Sequence, residues 1–253
     1  MGYSIKQLRE LCQDTGPAKN TQSWFGLANR FVSIYFTKLF VATSITPNQI
    51  TFLSTIIYLV GIGFIASGDK AYGLVGFGLL LLATVFDACD GEVFRFRRFK
   101  RGYGDSYVEP LSHDIMYGLM FTAIGYGAYL QTGYAWMLLV GAAASTFKLL
   151  FRMTETRFLH GVLGRVELYY GHTDAVKKFN EASSLHRLIY VLYRNTATST
   201  GLLFPLLVTI IFERLDIFII LYGVGYTMLW FGLFGRQIRR FTKISKQTME
   251  SNQ

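Results

Sequence analysis

The chain has 253 residues, of which 51% are hydrophobic and 16% charged, and its 25 Lys and Arg against 16 Asp and Glu give a formal charge of +9. That balance is too apolar for a soluble domain; it predicts an all-α, polytopic membrane protein whose basic residues flank spans and touch anionic lipid, with no role for nucleic acid. Cys12 and Cys89 exclude a disulfide framework and offer no zinc spacing.

In chain order, positions 1–20 mix Lys6, Arg9, Glu10 and Asp14 with Ile5, Leu8, Leu11 and Cys12 at helical spacing. This predicts a short amphipathic helix and no cleavable signal peptide. The stretch 24–43 is long enough to span, but Arg30 and Lys38 interrupt it, nearly on one face with Ser33 and Thr37. Its rings (Trp24, Phe25, Phe31, Tyr35 and Phe36) suit the headgroup zone, so positions 1–45 are read as an interfacial segment on the cytoplasmic side. Thr46-Pro47-Asn48-Gln49 starts a helix: Thr46 caps, Pro47 suits the first helical position, and Gln49 completes a capping box. Asn48 and Thr51 either serve that cap alone or face a nucleotide.

About six spans are expected over 46–240, the first at 49–66 and the second from 72 into an acidic segment. That segment puts carboxylates where a membrane helix tolerates few. After the apolar run 79–86 come Asp87-Ala88-Cys89-Asp90-Gly91-Glu92, then a basic loop broken by Gly102 and Gly104. Glu109-Pro110-Leu111-Ser112-His113-Asp114 then leads into the third span, 109–130. On helices Asp87 shares a face with Asp90, and Glu109 with His113. Each buried ionisable group costs more than about 2.5 kcal/mol, so partners are needed, and a metal ion is the natural one. The plainer alternative is that these groups merely end two spans in water.

Further spans are expected at 135–152, 198–212 and 217–235, separated by a polar cytoplasmic loop at 153–195 and followed by a basic cytoplasmic tail at 241–253. In the loop, Lys177, Lys178, Arg187 and Arg194 either hold lipid phosphate or form a solvated face, and His160, His172 and His186 have no metal spacing. On this map every Lys and Arg except Lys70 and Arg214 lies on one side, which makes the acidic clusters cytoplasmic.

Asp87-x-x-Asp90-Gly91-x-x-Phe94-Arg95, with Gly104 beyond it, resembles the signature of the CDP-alcohol phosphotransferases. The segment Pro47-Asn48-x-x-Thr51 resembles the family too. The similarity runs from Thr46 to about Leu119, and beyond that only hydropathy agrees. The family's Asp-Pro-Leu-x-Asp segment reads Glu109-Pro110-Leu111-Ser112-His113 here, one residue later after Gly104, and Phe94 replaces an alanine. The resemblance implies a homodimeric membrane enzyme of phospholipid biosynthesis. It would move a phosphoalcohol group, expected to be phosphatidyl, from a CDP-linked nucleotide to an alcohol acceptor and release CMP. It also implies Mg²⁺ or Mn²⁺, two per site, held by Asp87, Asp90, Glu109 and His113, with nucleotide and phosphate at Gly91, Arg95, Gly104, Asn48 and Thr51. In the family the last motif carboxylate ligates metal and takes the acceptor's proton. His113 stands there, with a pKa near 6.5 suited to a base. Asp114 would orient His113 or replace it as ligand, though a regular helix turns it away. The membrane is the cell membrane if the source is prokaryotic. Competing functions are an ion or solute carrier and a catalytically degenerate relative of the family.

Overall fold

The computed structural model describes residues 3–14, 23–97, 105–158, 184–196, 198 and 200–251. Among them the regular structure is helical throughout: α1 (Ile5–Cys12), α2 (Trp24–Val41), α3 (Pro47–Ile65), α4 (Lys70–Phe96), α5 (Asp105–Thr132), α6 (Trp136–Phe158), α7 (Ser184–Thr196), α8 (Leu203–Ile211) and α9 (Leu215–Ser251).

Local chemistry sets the helix starts. Ser4 and Gln7 form a capping box on α1, and Thr46 and Gln49 form the expected one on α3, with Thr46 N donating to Gln49 Oε1 at 2.9 Å. Asp69 accepts from Tyr72 N at 3.0 Å and begins α4. The α3–α4 turn needs Gly68, which has φ +71° and no room for a Cβ beside the Gly127 carbonyl.

Among the described residues, four helices are long and apolar enough to cross a membrane: Pro47–Ile65, Lys70–Phe96, Trp136–Thr154 and Leu215–Arg239. The two other segments expected to span differ for physical reasons. Glycine, tyrosine and threonine dilute the apolar content of α5, and α8 has only nine residues, about 14 Å of helix. α9 continues unbroken from the last expected span into the basic tail, as far as Ser251. Within the expected polar loop, α6 runs on to Phe158 and α7 forms from Ser184; His160, His172, Lys177 and Lys178 lie outside the described residues.

α3 packs on α4, α5 on α6, and α9 on both α5 and α6. Gly61 and Gly76 bring α3 and α4 backbone to backbone, and Gly125 and Gly141 do the same for α5 and α6. Small residues are how helices approach closely where lipid offers no hydrophobic drive. The main core gathers between these helices, with Phe121 stacked on Phe218 at 6.3 Å.

α2 is inside out for water. It buries Asn29, Ser33 and Thr37, spaced four apart against α4, and exposes Trp24 (65%), Phe31 (63%) and Leu39 (65%). Arg30, expected beside Ser33 and Thr37, is half-buried and donates to Gln13 O at 2.6 Å, whereas Lys38 is exposed.

Candidate functional site

α4 delivers its acidic residues in three directions. Asp90 turns into α3, where it is only 8% exposed and accepts from Thr51 Oγ at 2.5 Å. Asp87, a turn earlier, faces α5, and its Oδ1 lies 3.1 Å from His113 Nε2. An ionised carboxylate can only accept, so Nε2 carries a proton in that contact, and in the neutral ring the lone pair is then on Nδ1. Glu92 points to the far side, into α1 and α2.

α5 packs on α3, α6 and α9 and hardly on α4, so the His113–Asp87 contact bridges two helices that otherwise stand apart. The space between them is a cleft lined by Asp87, His113, Thr84, Tyr58, Tyr117 and Thr200, among others. Glu109 is exposed at the start of α5, and its charge acts on both Asp90 and His113. Asp90 thus feels the charges of both Asp87 and Glu109, and the side-chain bonds found there are a threonine hydroxyl on Asp90 and an imidazole on Asp87. Hard oxygen donors in that setting suit a divalent cation chemically. Among the described residues, however, no three Asp, Glu, His or Cys side chains converge as a ready-made cage.

Asp114 is not brought to this point. One residue past His113, it is rotated by about 100° on the helix and pairs with Arg152 on α6 at 2.6 Å. The orienting partner of His113 is Asp87, not Asp114.

Arg95 folds back over Gly91, where a Cβ would come within 3.2 Å of one of its terminal nitrogens. Its Nε donates to the Cys12 carbonyl at 2.5 Å, so one edge of the guanidinium is already engaged. Arg97 serves structure, donating to the carbonyls of Thr43 and Ile45 at 2.6 Å and holding the α2–α3 link. Asn48 is half-buried in the first turn of α3. Gly104 lies outside the described residues.

Two buried charged residues escaped the sequence reading. Lys148 on α6 is 8% exposed, with Nζ 4.7 Å from the Tyr117 ring centre and 4.4 Å from that of Tyr226. Rings facing a cation in this way offset part of its lost hydration. The signal was a lone lysine inside the apolar run 136–151. Glu92 is 1% exposed and accepts three side-chain hydrogen bonds, and the polar stripe Asn29-Ser33-Thr37 was the hint of such a partner.

Neither a family model nor a curated protein matches this chain. Its site therefore has to be read from its own residues.

Proposed function

We propose that the protein is a metal-dependent CDP-alcohol phosphotransferase of the membrane, with the cleft between α4 and α5 as its active site. The observation that carries this reading is the His113–Asp87 contact, which joins the two acidic clusters across an otherwise unpacked gap. Buried Asp90 supports it, since a carboxylate with like-charged neighbours and one hydroxyl donor is poorly compensated without a cation. Asp87, Asp90 and Glu109 would hold Mg²⁺ or Mn²⁺, with His113 beside them. When bound, the metal supplies Lewis-acid neutralisation of the charge that builds on the phosphoryl oxygens.

This chain's own residues do the rest. Thr51 fixes the rotamer of Asp90 by its hydrogen bond. Arg95, laid over Gly91, offers its two terminal nitrogens to a phosphate oxygen of the nucleotide. Asp87 holds the His113 ring through Nε2, leaving Nδ1 to take the proton of the acceptor hydroxyl. The acceptor oxygen forms its bond to the phosphorus nearer the alcohol, the pyrophosphate P–O bond breaks, and CMP leaves with the electron pair.

The six-span layout with a cytoplasmic site, and α1–α2 lying in the interface, belong to the same proposal. They are supported by the outward rings of α2 and by the one-sided distribution of basic residues. The test is CMP release by the purified protein in detergent with Mg²⁺ or Mn²⁺, using CDP-diacylglycerol with small alcohols, then CDP-choline with diacylglycerol. CMP release that needs both metal and acceptor is the expected result. Its absence with both donors and both metals rejects the reading.

A further inference from the structure

Glu92 lies two residues beyond Asp90 but faces the opposite way, into the joint between α1, α2 and α4. Its Oε1 accepts from Gln13 Nε2 and Ser33 Oγ, both at 2.7 Å, and its Oε2 accepts from Thr37 Oγ at 2.6 Å. The same Gln13 amide reaches Arg30 O at 2.6 Å, and Arg30 answers with a bond to Gln13 O at 2.6 Å. Beside them Leu8, Cys12 and Ile34 form a small sealed apolar cluster. A turn further along α4, Arg95 Nε reaches the Cys12 carbonyl. The end of α1 is therefore bolted to α4 at two points, a buried carboxylate on Gln13 and a guanidinium on Cys12.

The second bolt matters for the site. Arginine is a long side chain with many rotamers, and anchoring Nε restricts where its terminal nitrogens go. Here they stay over Gly91, close enough to Asp90 for the two charges to interact. Nothing in the spacing of the acidic motif involves α1, yet α1 supplies the carbonyl that sets this geometry.

We propose that Glu92 is a positioning residue, clasping α1 against α4 so that the Cys12 carbonyl aims Arg95 over Gly91 for an anionic phosphate. The identity of that anion rests on the functional reading above, whereas the clasp stands on geometry alone. Without the clasp, α1 leaves α4 and Arg95 loses its anchor, although every motif residue is still present.

Cys12 reports the clasp directly. It is fully buried, and burial, helped by the nearby Glu92 charge, pushes its thiol up to about 11, so it reacts slowly at neutral pH. The full-length protein in detergent is treated with N-ethylmaleimide, with Cys12 and Cys89 scored separately by peptide mass spectrometry. CMP affinity is measured in parallel with Mg²⁺ by calorimetry. Glu92→Ala and Gln13→Ala are expected to speed Cys12 labelling and to weaken CMP binding, each by about tenfold, as loss of one or more buried hydrogen bonds would. Glu92→Gln, which keeps an acceptor oxygen for Gln13, recovers most of both. Should Glu92→Ala fail to fold, Gln13→Ala decides, because it removes only one of the three donors to Glu92. Unchanged Cys12 labelling in Gln13→Ala overturns the clasp, and faster labelling with unchanged CMP affinity overturns its aiming of Arg95. A parent protein that binds no CMP overturns the nucleotide reading and the aiming role together, while the labelling still decides the clasp.

Discussion

Asp90 and Glu92 stand two residues apart on one helix and are both buried, yet their surroundings are opposite. Glu92 accepts three hydrogen bonds, with Arg30 and Arg95 close enough for their charges to interact with it. Asp90 accepts one side-chain bond, from Thr51, and faces the like charges of Asp87 and Glu109. The difference teaches that burial by itself says little about a carboxylate's purpose. A richly bonded one stabilises the helix packing around it, and breaking its network is costly. One with fewer donors and like-charged neighbours is less fully compensated, at some expense of stability, and under the proposed function it is the one that would hold the cation.

The sharpest way to break this comparison is Asp90→Asn, which removes the charge and keeps an acceptor for Thr51. CMP release should fall by at least about a thousandfold, the several kcal/mol that a metal supplies to such a transition state. The melting temperature of the variant should rise, because a buried charge facing the like charges of Asp87 and Glu109 is gone. A fall would mean that Asp90 is as well compensated as Glu92. His113→Ala comes next: a positioned base is worth about 10² to 10⁴ in turnover, with CMP affinity left nearly unchanged. Equal loss in both quantities would make His113 a binding group and not the base.

Glu92→Ala tests the other side. Orphaning the donors on Gln13, Ser33 and Thr37 should destabilise the protein by about 3 kcal/mol, read as a lower melting temperature in detergent. The smallest effect belongs to Asp114→Asn. Its pair with Arg152 is part-exposed at 30% and 45% side-chain accessibility, so the loss should stay under about 1 kcal/mol. A turnover loss as large as that of His113→Ala would return Asp114 to the chemistry.

How much of this was legible beforehand differs from residue to residue. The capping box at Thr46 and Gln49 was readable because it is a local motif, complete within four residues. The shared region of Asp87 and His113 was readable too, since both carry the chemistry that a membrane helix avoids. The rotation of Asp114 away from Glu109 was readable from helix geometry, but its partner Arg152, 38 residues on, was not. Hydropathy alone gave no helix length at α8, where an apolar run of the right composition forms nine helical residues. Hydropathy measures composition, and helix length also depends on where the chain turns.

By itself the sequence determined the class of protein, all-helical with membrane-length apolar segments, and the position of the acidic clusters along it, because composition and period are properties of the chain. Only the tertiary structure decided which carboxylate on α4 is richly hydrogen-bonded and which has a single side-chain donor. That depends on what α1, α2, α3 and α5 bring to each face of one helix, and a donor's distance along the chain says nothing about its distance in space: Gln13 is 79 residues from Glu92 and 2.7 Å away.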